Sequence, residues 1–210
     1  MTIEKTLNEQ TLAIAALKLA ENDADFAGII ERHGTPPLWA REPGFATLVH
    51  IILEQQVSLA SAKAAFDKLS ATAAPLKPET VLPLDDVTMK AVGVSRQKAR
   101  YLRHLSESIL NGELDLARLH RESDAFVHTE LQKIKGIGNW TTSVYLLMAL
   151  LRPDAWPVGD LALAKALQRL KHLPKLPDAA QLTEFGEQWR PFRAVAARLL
   201  WHFYLSEPKN

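Results

Sequence analysis

The chain has 210 residues, 47% of them hydrophobic and 23% charged, with a formal net charge of +1 and no cysteine. That is enough apolar sequence for one large core or two small ones, and the lack of cysteine excludes a disulfide framework, a Cys-ligated zinc and a Cys-ligated iron–sulfur cluster. No stretch approaches the ~18 uninterrupted apolar residues of a membrane span, and the N-terminus MTIEKTLNEQ lacks a basic-then-apolar signal pattern, so a cytoplasmic protein with no membrane partner is expected.

Helical periodicity runs through nearly the whole sequence, and the alternating β-branched or aromatic runs that mark strands are missing. The expected fold is therefore all-α, with helices near 7–21, 24–33, 44–56, 58–71, 84–92, 95–111, 123–134, 139–151, 160–170, 178–188 and 190–205. Ser58, Ser95, Ser123, Asp160 and Asp178 each precede an apolar-periodic run as an N-cap does. The breaks between helices are rich in Pro and Gly, notably GTPPLWAREPG at 34–44, APLKPETVLPL at 74–84, RPDAWPVG at 152–159 and HLPKLPD at 172–178.

Charge is unevenly spread along the chain. Residues 1–92 hold 8 Lys and Arg against 12 Asp and Glu, a balance of −4, whereas residues 93–210 hold 17 against 12, a balance of +5. A basic second half suits a polyanionic partner, and also an ordinary solvated surface. The seven histidines form no ligand spacing.

The most informative stretch is LQKIKGIGNWTT, Leu131 to Thr142, in which a helix, the turn Lys-Gly-Ile-Gly at 135–138 and a second helix follow in close order. This reads as a helix-hairpin-helix. Its glycines admit positive φ and close backbone approach, and the first amides of the second helix can receive a phosphate; a plain Gly-terminated helix joined to the next is the alternative. A fainter copy, MKAVGVSRQKA at 89–99, places Gly93 on Gly136 and Ser95 on Gly138 at an offset of 43 residues. Some twenty residues past the hairpin, beyond a loop stiffened by Pro153 and Pro157, Asp160 opens the run LALAKALQRL.

Hairpin, Gly/Pro-rich loop and lone aspartate, in that order, resemble the helix-hairpin-helix (HhH-GPD) DNA glycosylase superfamily. Three blocks, FATLVHIILEQQVSLASAKAAFDKL (45–69), LQKIKGIGNWTTSVYLLMALLRPDAWPVGDLALAKAL (131–167) and WRPFRAVAARLLWHF (189–203), are most similar to the 3-methyladenine DNA glycosylase II branch. The resemblance implies a two-lobed helical fold without an N-terminal β domain: one unit over 1–210, an inner lobe near 45–125, a hairpin and catalytic segment near 126–205, residues 1–44 packing with the C-terminal helices, and a DNA-binding cleft between the lobes. It also implies a monomer acting on damaged double-stranded DNA, releasing alkylated purines by hydrolysis in base excision repair. Deaminated bases as substrates, or a damaged-DNA-binding protein without catalysis, are the alternatives.

The resemblance assigns roles by position. Asp160 matches the catalytic aspartate, where a fixed carboxylate favours the positive charge that builds on the sugar. Trp140 stands where bifunctional relatives carry a Schiff-base lysine, so hydrolysis without strand cleavage is expected. Trp201, Trp140 and Val144 fall at base-pocket positions, where an aromatic face attracts a cationic base. Gln55 and Gln56 fall at the minor-groove turn, with Gln56 as the wedge that fills the gap left by a flipped nucleotide. Gly136, Gly138, Trp140 and Thr141 would bind DNA phosphate. No cofactor is implied, apart from a Na+ or K+ ion held by the carbonyls of Gln132, Ile134 and Ile137 when DNA is bound.

Overall fold

The protein was analysed as a computed structural model, which describes residues 6–207. Among them there is no strand. The helices are α1 (Glu9–Asn22), α2 (Ala24–His33), α3 (Phe45–Glu54), α4 (Leu59–Thr72), α5 (Pro78–Val81), α6 (Asp86–Ala91), α7 (Arg96–Leu110), α8 (Leu116–Leu119), α9 (Asp124–Gln132), α10 (Asn139–Met148), α11 (Leu161–Leu170), α12 (Ala179–Glu187) and α13 (Arg193–Ser206). The five expected caps all form: the side chains of Ser58, Ser95, Ser123, Asp160 and Asp178 each accept an amide from the first turn of the helix that follows. Such a cap is worth ~1 kcal/mol and depends on local sequence alone. The four-residue helices α5 and α8 were not expected, because four residues are too few to show a helical period.

The chain divides into two compact units. One takes the residues up to Ala40 together with those from Leu146 onward, and the other is Arg41–Tyr145. In this division the hairpin falls in the same unit as the residues that precede it. The reason is local: the turn is held by side chains of α3, α7 and their flanks, described below.

In the first unit α13 is the hub, packing against α1, α2, α11 and α12. Every residue from Ala194 to Trp201 is buried, so this helix has no solvent face of its own there. Ala194, Ala196 and Ala197 let its neighbours approach closely. Arg198 is fully buried within it, and among the described residues it forms no ion pair at salt-bridge distance. Instead its guanidinium donates to three main-chain carbonyls, Nε to Leu38 (2.9 Å), Nη1 to Ala194 (3.0 Å) and Nη2 to Leu147 (2.7 Å). Burial pulls its pKa down to about 9, and the three acceptors are what make a buried cation tolerable there.

In the second unit α3 packs on α4 and α7, and α7 also receives α5 and α6. Phe45, Thr47 to Val49 and Ile51 to Leu53 are all buried, leaving α3 apolar nearly all round. Lys98 reaches from α7 to donate to the carbonyl of Leu53 at 2.7 Å, satisfying one of the open carbonyls at the end of α3. Partial burial lowers the pKa of this lysine.

Candidate functional site

Within the first unit, the loop RPDAWPVGD delivers Asp160 to the start of α11. Its course is fixed at several points. Arg193 grips Asp154 with two parallel bonds, Nε to Oδ1 at 3.0 Å and Nη2 to Oδ2 at 2.9 Å, and the amide of Ala194 donates to the carbonyl of Pro153 at 3.0 Å. A bidentate pair of this kind restrains direction as well as distance. Trp156 is buried, donates its indole N–H to the carbonyl of Leu182 at 2.9 Å, and lies so close to Gly186 that a Cβ there would sit 2.7 Å from its Nε1. The last turn uses Gly159 at φ +89°, and the amide of Asp160 closes it on Pro157.

Asp160 Oδ1 accepts from the amide of Leu163 at 2.9 Å and from the indole Nε1 of Trp201 at 3.1 Å. The first caps α11; the second ties the carboxylate to α13. Trp201 is 8% exposed, and its bond to Asp160 aligns the ring beside the carboxylate. The structure thus brings together two residues that lie 41 positions apart and that the sequence had assigned to one site.

A third residue joins them that the sequence reading did not single out. Trp39 meets Trp201 edge-on, with ring centroids 6.4 Å apart and planes at 64°. Its backbone is left-handed, φ +48°, which is uncommon for a bulky residue. The preceding carbonyl, that of Leu38, is the one held by Arg198. The available signal was a tryptophan inside the Pro-rich segment 34–44, outside any amphipathic helix whose packing would explain it. A surface cavity of about 490 Å³ in the same unit, bordered by Lys18, Trp189, Arg190 and Phe192, includes neither Asp160 nor Trp201.

In the second unit, the turn between α9 and α10 is built from inside. Gly136 has φ +91°, and a Cβ on it would lie 2.1 Å from Cγ of Tyr101: the phenol ring packs flat against the glycine. Gln55 Nε2 donates to the carbonyl of Gly136 at 2.8 Å and to Oγ1 of Thr141 at 2.9 Å, while the amide of Lys135 donates to Nδ1 of His104 at 3.2 Å. Ile134 and Ile137 are buried beneath.

These contacts place the expected site residues in different surroundings. The two glycines have different tasks: Gly136 is filled by Tyr101, whereas Gly138 is exposed, with no atom within 4 Å of where its Cβ would stand. Gln55, expected at the minor-groove turn, turns its side chain onto the hairpin and braces it. Thr141 is buried, and its hydroxyl accepts a bond from that brace. Gln56 does point outward. It is exposed with φ +57°, beside Val57 and Leu59, which are 48% and 62% exposed.

Trp140 is half-buried on the first turn of α10, and Val144 is buried further along that helix. Both belong to the second unit, whereas Asp160 and Trp201 belong to the first. Tyr145, next to Val144, is wholly buried and accepts the amide of Gly44 on its phenol oxygen at 3.0 Å. Burial pushes that phenol up to about 12. For the carbonyls of Gln132, Ile134 and Ile137, the structure places Gln132 at the C-terminal end of α9, and the Ile134 carbonyl already accepts the amide of Ile137 at 3.0 Å. Among the described residues no group of three His, Asp or Glu side chains could hold a metal ion. A donor set made only of main-chain carbonyls fits a singly charged ion better than a divalent one.

The description "HhH-GPD superfamily base excision DNA repair protein" matches residues 49–191. The chain belongs to the HhH-GPD superfamily. As an HhH-GPD protein it carries Asp160, the hairpin and the Gln55–Gln56 turn inside the matched segment, with Trp39 and Trp201 outside it. It is 30% identical over 165 residues to DNA-3-methyladenine glycosylase 1 of Schizosaccharomyces pombe, covering 77% of this chain and 72% of that protein. It is 28% identical over 183 residues to a candidate DNA-3-methyladenine glycosylase of Bacillus subtilis, covering 83% of this chain and 64% of the relative. The fold matches that of the Schizosaccharomyces pombe 3-methyladenine DNA glycosylase solved with abasic DNA, with a TM-score of 0.84 and 27% identity over 89% of this chain and 94% of the other.

Proposed function

We propose that this HhH-GPD protein is a monofunctional DNA glycosylase that hydrolyses the N-glycosidic bond of alkylated purines, such as 3-methyladenine and 7-methylguanine, in damaged double-stranded DNA, and so opens base excision repair. The observation that carries the reading is the Asp160 carboxylate, held by the α11 amide and the Trp201 indole at the start of a helix. The names of the relatives support the substrate class.

In this reaction the C1′–N bond breaks with its electron pair going to the base. An alkylated purine is cationic before cleavage and neutral after it, so it leaves without a strong general acid. The sugar takes on positive charge, which the Asp160 carboxylate offsets. Water then adds at C1′ and gives up a proton, leaving an abasic site and the free base. With Trp140 in place of an amine at the hairpin helix, no Schiff base forms there and the strand stays intact.

Positioning falls to the second unit. The amides opening α10 at Gly138 and Trp140 hold a phosphate without reading sequence, and Gln56 with its exposed apolar neighbours fills the gap left by the extruded nucleotide. A Na+ or K+ ion on the carbonyls of Gln132, Ile134 and Ile137 would add positive charge at that phosphate. The protein acts as a monomer in this reading.

The test is Asp160→Asn assayed on duplexes carrying 7-methylguanine or 3-methyladenine. Base release falls by about 100-fold or more, in line with loss of a group that stabilises transition-state charge, while duplex binding persists. Release near the wild-type rate would rule out the assignment.

A further inference from the structure

The outward turn after α3 and the hairpin after α9 lie far apart in sequence, yet one side chain belongs to both. Gln55 Nε2 donates to the carbonyl of Gly136 at 2.8 Å and to Oγ1 of Thr141 at 2.9 Å. Those two acceptors flank the Gly138 and Trp140 amides assigned above to a DNA phosphate. A carbonyl can only accept, so the bond to Gly136 requires a donor at position 55. The hairpin does not need this bond for its own shape: the Tyr101 ring lies against Gly136, His104 Nδ1 accepts the amide of Lys135, and Ile134 and Ile137 are buried beneath. What the bond adds is a link to the next residue, Gln56, which is exposed in a left-handed backbone at φ +57°, uncommon for a residue other than glycine. The rest of the turn is fastened as firmly. Lys98 donates to the carbonyl of Leu53 at 2.7 Å, Arg41 grips Glu54 with two bonds of 3.1 and 2.7 Å, and Ser58 caps α4. Gln56 and Val57 are therefore held between two fixed residues, Gln55 and Ser58.

We propose that Gln55 is a positioning residue that joins the hairpin and the outward turn into one rigid element, so that a phosphate seated on the hairpin fixes where Gln56 enters the duplex. The proposal rests on the glycosylase reading above, in which the hairpin holds phosphate and Gln56 fills the gap left by an extruded nucleotide, and adds to it the part that sets the spacing between the two. A filler side chain stabilises the extruded state only where it stands in register with the gap. Phosphate contacts supply that register. A loose turn could still meet the groove, but ordering it would cost conformational entropy at the moment of insertion. With Gln55 in place the turn is ordered before DNA arrives. The consequence is a split between two measurable quantities. Binding to an intact duplex depends on the hairpin amides and is insensitive to Gln55. The added affinity for a duplex with a gap depends on Gln56 standing in register, and so on Gln55.

The experiment titrates two duplexes of one sequence, one intact and one carrying a tetrahydrofuran abasic analogue opposite 2-aminopurine, with the wild type, Gln56→Ala, Gln55→Met, Thr141→Val and Thr141→Ser. Neither duplex has a base to release at the lesion, so the result does not depend on catalysis, and 2-aminopurine emission reports a side chain standing beside the orphaned base. Gln55→Met keeps the length of the side chain and removes its donors. It binds the intact duplex within about twofold of wild type, but loses about tenfold of the preference for the abasic duplex, the size expected of two neutral hydrogen bonds, and most of the emission change, as Gln56→Ala does. Thr141→Val, which removes one acceptor, gives an intermediate loss, and Thr141→Ser, which keeps the hydroxyl, recovers it. A merely structural glutamine gives a different result: Gln55→Met weakens both duplexes by the same factor, or lowers the fraction of active protein, with the emission change at saturation unaltered. Either outcome, or a Gln55→Met indistinguishable from wild type, overturns the proposal. Should Gln55→Met not fold, the Thr141 pair decides, and equal behaviour of Thr141→Val and Thr141→Ser overturns it. The two readings separate cleanly: a Gln56→Ala equal to wild type removes the wedge and the linkage with it, whereas an emission change lost in Gln56→Ala but kept in Gln55→Met sinks only the linkage. Base release by Asp160→Asn, which tests the glycosylase assignment, stands apart from both.

Discussion

Two turns in the second unit have the same backbone plan and different ends. The turn from α6 to α7 passes through Gly93 at φ +87°, and the turn from α9 to α10 through Gly136 at φ +91°. The internal echo in the sequence thus corresponds to a repeated conformation. Two residues after each glycine the copies part. Ser95 turns its hydroxyl onto the amide of Lys98 and satisfies its own helix; Gly138 has no side chain with which to do so. The first turn is closed by the protein, and the second leaves room at its helix N-terminus for an anion from outside. A single side chain thus separates a turn capped by its own residue from one left open.

The largest expected effect tests how differently the two turns are packed. Gly136→Ala meets both an unfavourable backbone and the Tyr101 ring, and should cost about 3 kcal/mol or more in urea-induced unfolding. Gly93→Ala meets the same backbone problem, but its Cβ would stand 3.5 Å from that of Ala65, an ordinary contact, so about 1 kcal/mol is expected. Equal losses would mean that the Tyr101 contact adds nothing to the hairpin.

A second prediction concerns the helices that follow. α7 is amphipathic, whereas α10 is buried from Thr141 to Leu147 and carries Tyr145 with a phenol pushed up to about 12. A tyrosine raised above its ordinary value of 10 keeps its proton longer in the native state than in the unfolded one. Its contribution is complete below pH 10 and is lost as pH rises through about 12, amounting to about 2–3 kcal/mol over that interval. Absorbance titration of the three tyrosines should show one late phenolate that is missing in Tyr145→Phe, and the variant should lose about 1 kcal/mol at neutral pH with the Gly44 hydrogen bond. Three phenols titrating together near pH 10 would contradict the burial argument.

The smallest effect is the most direct test of open against closed. Gly138→Ser should convert the second turn toward the first, holding or slightly raising thermal stability while weakening binding to an undamaged duplex at low salt by about threefold, since a phosphate at a helix end is worth roughly 0.3–1 kcal/mol. Ser95→Gly should cost only a few tenths of a kcal/mol and leave duplex binding unchanged. If both variants alter binding alike, the distinction between the turns fails.

The residues legible in the sequence were those whose surroundings lie within a few positions. Ser58, Ser95, Ser123, Asp160 and Asp178 cap the helices next to them, and the hairpin glycines announce their own turn. The bracing contacts of Gln55 were not legible because its partners, Gly136 and Thr141, are 81 and 86 residues away, and a glutamine at a helix end reads the same facing in or out. Trp39 depends on an arginine 160 residues from Leu38, and nothing near it in the chain marks its left-handed backbone. The bidentate Arg193–Asp154 grip and the Trp156–Gly186 contact, which hold the loop before Asp160, were hidden for the same reason. Local motifs marked the candidate residues; the groups that hold them in place come from distant segments.

The hydrogen bond between Trp201 and Asp160 also makes the site its own optical reporter. The excited indole is sensitive to a charge at its N–H, so replacing the carboxylate by an amide should shift the emission of this one tryptophan among the protein's five, and a methylated purine stacked on it would quench that emission by accepting an electron. Occupancy of the proposed site by free base or by a flipped nucleotide could then be followed in real time without a label, from a chromophore bonded to the Asp160 carboxylate.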